Sequence, residues 1–506
     1  MRTRYIYLPL LAALFPASLP AVLSAQEPAI SSVTVSGNVS IPAEELAEAA
    51  GLAPGLVWSR EINELSREII ASFYQSRGFM EAKVSVEELQ AGASVHLLVE
   101  VTEGPLYLFG ATSTSGLKKL RPNTVKKELS YRQGDSYSQA KLLGSQGKLY
   151  GTNWFESLST TISSSTSSNN IDVVFEAVEN PMLWLKGGIG YGSEEKERVS
   201  LGLTHNNFLG RGYKLDISGM LSRIWLEYRA DFTNRHFLDS RTELRDASVW
   251  RRERRSGYDM ESLRNTVSLG RKLAPNLHGS VQYRMQRTLI YNVDPELSGE
   301  APSLARLRSA GVSFNRDTTD DFFYPSRGLR SELSVERSGG FWGGDINIYK
   351  ASLRNTIYHQ ILPGLTGLIS ARGAFVHETG RTPDVPIYER LFTGGGNSVR
   401  GYSERGVGPT DADGNPLGGK VLLGASAELR FPIYKKLRGA LFTDGGQVSD
   451  SLAGSAPRRW RYGAGAGLRY QTPVGPIRAY FGYKLNPDRP VTPEMWRVHL
   501  SIGEAF

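Results

Sequence analysis

The chain has 506 residues, no cysteine and a formal net charge of +8. The absence of cysteine excludes disulfides, thiolate metal sites and cysteine nucleophiles, and the seven scattered histidines form no HExxH-type cluster. A basic excess suits nucleic acid or an anionic surface. Here the cations are spread along the chain among aromatics, which argues against a nucleic-acid partner.

Residues 1–25 read as a secretory signal peptide. Arg2 and Arg4 precede an apolar stretch running to about Leu23, and Ser24 and Ala25 are small. Leu23 is bulky where the cleavage motif favours a small residue, so an uncleaved anchor is the alternative. The prolines and the short apolar core fit a spanning helix poorly. Beyond residue 25 no stretch approaches 18 apolar residues, so membrane insertion is expected only as a β-barrel.

Residues 28–103 predict the order β-α-α-β-β. Ile30, Val33 and Val35 alternate in a short strand that ends at SGN. Ser40, Pro42 and the adjoining EEL open a short helix. Ile62, Leu65, Ile69 and Phe73 recur at helical spacing up to Gly78. Two alternating strands come next, around Val84 and Val86 and then from Val95 to Val101. Residues 104–179 repeat the order, with a strand from Tyr107, a short helix at 122–129, a long helix at 139–158, a poor strand near Ile162 and a good one at 171–175. Each repeat is too small to bury much and keeps exposed sheet edges.

From residue 182 to residue 506, about sixteen segments of roughly ten residues alternate apolar and polar, an even number as single-chain outer-membrane barrels require. Tyr213, Trp225, Tyr228, Trp250, Tyr283, Tyr349, Tyr358, Phe431, Tyr434 and Tyr480 are placed as girdle aromatics would be. In the final segment Trp496, Val498, Leu500 and Ile502 alternate with polar residues, and Phe506 is terminal, as expected of a closing strand. The fold class expected is a transmembrane β-barrel of about sixteen antiparallel strands behind two small α+β domains.

Several motifs carry a resemblance to the Omp85 superfamily, which covers most of the chain after residue 25. The two repeats resemble its POTRA modules, with VSGNVSIPAEEL near the start and VTEGP at the end of the first. SVRGY at 398–402 resembles the VRGF/Y motif, here Val399, Arg400, Gly401 and Tyr402. LFTDGGQV at 441–448 resembles the FxDxG strand motif, here Phe442, Asp444 and Gly446. Segments 315–328 and 471–483 resemble other recurrent barrel stretches. The resemblance implies an outer-membrane location, periplasmic POTRA modules, and contact between Arg400 and acidic residues on nearby strands, Asp444 first and Glu428 second.

The residues themselves support such a site. The stretch 380–420 is too long for an ordinary turn, and its glycines permit positive φ and close approach. If it enters the lumen, Arg400 needs a counter-charge. A solvated loop arginine and a hairpin aspartate at DGG remain the alternatives at this level. A phosphate loop is disfavoured, because GGGNSVRG lacks the GK[ST] ending. The RRERR run at 251–255 reads as strand-end or loop charge near head groups, with a lipid contact as the alternative.

No catalytic constellation, cofactor site or metal site stands out, so the expected function is assembly without covalent chemistry. The partners the resemblance implies are unfolded outer-membrane or secreted clients and the bilayer. An inner-membrane partner that spans the periplasm is left open. Two modules fit a short TamA-like assembly factor or a two-partner secretion transporter, and the early first strand favours the former. A passive porin is the rival from another class. The seam between the first and last strands is expected to be weak, with Gly503 and Glu504 contributing.

Overall fold

The computed structural model describes residues 28–91, 94–164, 169–294, 304–451, 459–472, 475–487 and 494–502. The expected signal peptide, Gly503, Glu504 and Phe506 lie outside these residues.

The first module consists of β1 (Ala29–Ser36), α1 (Ala43–Ala49), α2 (Arg60–Ser76), β2 (Lys83–Ala91) and β3 (Ser94–Thr102). Its sheet has the order β1-β3-β2, with β1 parallel and β2 antiparallel to β3. Both outer strands are therefore edges. The Ser59 side chain caps α2 by accepting from the Ile62 amide at 3.4 Å. The buried face of α2 is rotated from the expected one. Ser66, Ile70 and Tyr74 turn inward, while Leu65 is 56% exposed. Tyr74 selects this face, because its buried ring needs a partner for the hydroxyl and Glu103 accepts it at 3.0 Å. Ile70 and Tyr74 pack with Leu46, Trp58, Val95, Leu97 and Val99 in one core.

Glu103 also holds the other end of the module. It accepts from the Ser40 amide at 2.7 Å and the Ser40 hydroxyl at 2.6 Å. Ser40 is thus a clasp to the chain end rather than the cap of α1, whose N-cap is Pro42. Gly37 has φ 76°, and a Cβ there would overlap the Val101 carbonyl oxygen.

The second module has β4 (Leu108–Ser115), α3 (Pro122–Glu128), α4 (Gln139–Gly151), β5 (Phe155–Ser164) and β6 (Asn170–Glu179), with sheet order β4-β6-β5. The long helix ends at Gly151 rather than Leu158. Asn153 turns the chain at φ 58°, and strand β5 then begins at Phe155. The clasp repeats: Glu179 accepts from the amides of Lys118, Lys119 and Leu120 at 2.9–3.1 Å. Gly116, at φ 79°, faces the Ala177 carbonyl as Gly37 faces Val101.

Sixteen strands close into one antiparallel barrel. They are β7 (Leu183–Gly192), β8 (Lys196–Phe208), β9 (Tyr213–Ser222), β10 (Trp225–Asn234), β11 (Thr242–Arg255) and β12 (Tyr258–Ala274). Next come β13 (Leu277–Tyr291), β14 (Leu304–Asp317), β15 (Gly328–Ser338), β16 (Ile348–Leu362) and β17 (Leu365–Glu378). The last five are β18 (Val421–Tyr434), β19 (Leu437–Ser449), β20 (Arg461–Thr472), β21 (Gly475–Lys484) and β22 (Trp496–Ile502). The expected segments match these strands one to one. Outward positions carry exposed apolar side chains such as Ile189 at 83% and Ile369 at 65%, the pattern of a lipid-facing band.

Three of the expected girdle aromatics face inward instead. Tyr480 is buried, and Trp225 and Tyr358 line an interior cavity. The reason is register: on each of these strands the aromatic shares parity with the lumen-facing charges. The RRERR run is corrected in the same way. Arg251 pairs with the buried Glu227, and Arg255 pairs with the buried Glu253, so alternate members serve the interior.

The Glu103 clasp sets an acid limit on the first module. Burial pushes its carboxyl up, but hydrogen bonds from Ser40 and Tyr74 outweigh this and leave it below the ordinary value of 4.5. A carboxylate depressed in the fold stabilises fully above its unfolded value and loses that contribution as pH falls through the folded value. Amide protection, corrected for the intrinsic exchange rate, should therefore fall across the first module on acidification, and Glu103→Gln should flatten that limb.

Candidate functional site at the inward loop and the barrel seam

Residues 379–420 connect β17 to β18. This segment turns into the barrel and is held by charge at several places, two of which centre on the buried Arg400 and Glu389. The first is its tip. Val399 and Tyr402 are buried with Val407 in a small apolar cluster, and this cluster presents Arg400 to the wall. Gly401, between Arg400 and Tyr402, has φ 99°, a conformation that only glycine adopts without strain.

The wall is built to receive the tip. On β19 the residues Ala440, Phe442, Asp444 and Gly446 alternate inward and are all buried. Asp444, Gly445 and Gly446 are thus mid-strand residues rather than a hairpin turn. A Cβ at Gly446 would come within 2.9 Å of Val399, and one at Gly463 would overlap the Arg400 carbonyl oxygen. On β21 a Cβ at Gly482 would lie 2.4 Å or more from the Arg400–Gly401 backbone, too close to fit. The glycines of the strands therefore let the loop backbone lie flat against the wall.

The structure brings together Arg400, Asp444 and Glu428. Arg400 Nε donates to Asp444 Oδ2 at 2.7 Å, and a terminal nitrogen donates to Oδ1 at 2.8 Å. The backbone amide of Arg400 adds a third bond to Asp444 at 3.0 Å. The other terminal nitrogen reaches Glu428 Oε2 at 2.7 Å. The Ser426 hydroxyl donates to Asp444 at 2.6 Å. The guanidinium also lies 3.5 Å from the ring centroid of Phe442, so the motif's phenylalanine and aspartate contact the same cation. All three charged residues are buried, at 6%, 1% and 5% exposed for Arg400, Asp444 and Glu428. Glu428 is shared, since Arg430 lies at 2.7 Å and Arg469 at 2.9 Å.

The tip also touches the closing strand. The Gly401 amide donates to His499 Nε2 on β22 at 3.1 Å, and the Tyr402 hydroxyl donates to the Asn486 carbonyl at 3.2 Å. The loop thus bridges the wall at β18–β19 and the last strand.

The second anchor has no counterpart among the sequence motifs. Glu389, 2% exposed, sits on the loop and pairs with Arg284 of β13 at 3.2 Å and Lys350 of β16 at 3.1 Å. The polarity is the reverse of the first anchor: a loop anion meets wall cations. A lone glutamate in IYER carries no motif, so no local signal could have singled it out.

The seam is where β7 meets β22. Among the described residues they share two register pairs, Ser501 with Gly192 and Ile502 with Tyr191. Strand β7 carries Gly187, Gly188, Gly190 and Gly192, and glycine weakens strand pairing. Trp496 opens β22 and stacks on Phe481 of β21, at 5.7 Å between centroids, on the outward side.

Comparison with known proteins places the chain in context. The family model described as "Omp85 superfamily domain" matches residues 207–506. The POTRA model, described as "Surface antigen variable number repeat", matches 28–104 and 107–180. The chain is 26% identical over 463 residues to the outer membrane protein assembly factor BamA of Nitratidesulfovibrio vulgaris, covering 88% of this chain and 57% of that protein. It is 21% identical to BamA of Neisseria meningitidis serogroup B, covering 94% and 66%. The chain thus spans less than two thirds of the length of these relatives. Its fold is similar to that of Haemophilus ducreyi BamA lacking POTRA domains 1–3, with TM-score 0.72 and 18% identity over 94% and 99% of the two chains. CdiB of Escherichia coli is similar in fold at TM-score 0.59 and 16% identity, over 96% and 92%.

Removing one partner of a buried pair costs about 3–5 kcal/mol, because the other charge is left uncompensated. Arg400→Ala and Asp444→Asn should each release the loop tip, read as new protease cleavage within 394–408 and a lower temperature of barrel unfolding. Glu428→Gln should lower that temperature while leaving the tip protected, since Asp444 still holds Arg400 by three bonds.

Proposed function

The chain belongs to the Omp85 superfamily, and from that premise we propose that it assembles outer-membrane proteins, taking unfolded clients through its POTRA modules and inserting them at the barrel seam. The barrel lies in a bacterial outer membrane and the POTRA modules in the periplasm. The observation that carries the reading is a loop clamped by ion pairs to β18–β19, beside a seam strand β7 with four glycines among its ten residues.

The physical logic starts from the backbone. Each POTRA sheet offers two edge strands, and an edge accepts an extended client by strand addition. In lipid, unpaired backbone groups are costly, so a separated seam is satisfied by a client strand. The glycines of β7 weaken strand pairing and so lower the cost of separation. Arg400, Asp444 and Glu428 act here as positioning residues: they hold the loop and the wall at β18–β19 while β22 moves. Phe442, Gly446, Val399, Gly401 and Tyr402 shape the same contact. No covalent step is required.

A transporter of the two-partner type would share the barrel and the modules. Depleting the protein and profiling both envelope and medium separates the two readings. Loss of one class of outer-membrane barrels supports assembly, and loss of one secreted partner supports transport. A porin would give a large, steady conductance, whereas the clamped loop predicts a small or flickering one.

Gly192 and Ser501 face each other across the seam, and directly opposed strand residues suit a disulfide. In a chain without cysteine, Gly192→Cys with Ser501→Cys gives one defined cross-link. The oxidised variant should fail to insert a client barrel into proteoliposomes, and reduction should restore insertion. Wild-type insertion by fully cross-linked protein would rule out the seam.

A further inference from the structure

Inside the barrel, beneath the loop tip, lies a cavity of about 500 Å³ lined by eight arginines and four glutamates. Part of that charge is spoken for, since Arg400, Arg430 and Arg469 share Glu428. The rest is not explained by the clamp.

Two pairs of arginines face each other directly across neighbouring strands. Arg354 of β16 opposes Arg372 of β17, and Arg469 of β20 opposes Arg478 of β21. All four line the same cavity. Like charges placed directly opposite destabilise a sheet. Among the described residues, Arg354 and Arg478 have no hydrogen bond or carboxylate partner, and both are exposed to the cavity. Arg372 reaches only the Thr393 hydroxyl. Arg469 pairs with Glu428, so each opposed pair has one arginine, Arg354 or Arg478, without a carboxylate partner among the described residues, and both line one cavity.

We infer that this cavity is a binding site for a multivalent oxyanion of the phosphate class. Guanidinium groups match such anions in shape as well as charge, each offering two parallel N–H donors. A multivalent anion seated against an opposed pair cancels the repulsion within it, which a single chloride does less well. The volume lies within the range of small-ligand sites and exceeds what one inorganic phosphate fills, so a diphosphate or a phosphate-bearing head group suits it better. The site does not depend on the assembly reading, because Arg354, Arg372 and Arg478 belong neither to the Arg400–Asp444–Glu428 cluster nor to the seam pairs; only Arg469 also pairs with Glu428.

The test uses the full chain folded in detergent, free of lipid, and titrated with inorganic pyrophosphate at an ionic strength held constant with chloride. The expected result is saturable binding with a rise in unfolding temperature. The double variant Arg354→Gln, Arg478→Gln removes one member of each opposed pair, and neither residue holds any other group. It should fold, be at least as stable as the parent without anion, and bind pyrophosphate about tenfold more weakly or worse. A second arm places the protein in nanodiscs of neutral phosphatidylcholine with or without phosphatidic acid. Stabilisation by the lipid that pyrophosphate competes away assigns the source to the membrane; stabilisation by pyrophosphate alone assigns it to solution. Equal response to chloride and pyrophosphate, or undiminished binding by the double variant, overturns the site.

Discussion

A guanidinium taken out of water must be neutralised completely, and the inward loop is arranged around that requirement at Arg400. Asp444 meets it with two side-chain bonds and one backbone bond, and Glu428 takes the remaining face. Such a cluster adds little net stability compared with apolar packing, because desolvation offsets the attraction. What it supplies is position. The bonds are satisfied in one placement of the tip only, and the glycines at 446, 463 and 482 leave room for that placement and no bulk to oppose it. Glu389, with Arg284 and Lys350, fixes the other part of the loop with the opposite polarity, so the segment cannot slide without breaking both anchors at once.

This clamp stands beside the junction of β7 and β22, the first and last strands of the barrel. The tip reaches β22 through the His499 bond to the Gly401 amide, a neutral contact, whereas its hold on β18 and β19 is ionic. The ionic attachment on one side and the single neutral bond on the other fit the proposal that the closing strand parts from β7 while the loop stays with the wall. The glycines of β7 work in the same direction. They remove side-chain packing from the seam, and its stability then rests on backbone pairing that another strand is able to supply.

The sequence exposed most of the architecture. Alternation of period two, broken by turn residues, separates sixteen barrel strands from the two earlier repeats. The helical spacing around Ile62 located α2. Legibility failed where a decision depended on a partner far away in sequence. Leu65 and Ile70 are equally apolar, and only the Tyr74 hydroxyl reaching Glu103 selects which face turns in. The end of α4 was hard to place because glycines weaken a helix without stating where it stops; Asn153 at positive φ decided that. Tyr480 and Trp225 had the residue type of a girdle but the parity of the lumen.

For the site, the sequence by itself determined the actors: Arg400 within a glycine-rich loop, and Asp444 and Glu428 on strands further along. It left open whether Arg400 met one, both or neither, and it was silent on Glu389, on the glycine-rich β7 side of the seam and on the facing arginine pairs. Those are matters of register and closure. Which side chains share a lumen depends on how sixteen strands align around a circle, and a one-residue slip would turn every charge to the lipid. Local pattern sets the residue types, period and turns. Only the closed barrel, by bringing residues tens to hundreds of positions apart within bonding distance, decided which charges meet.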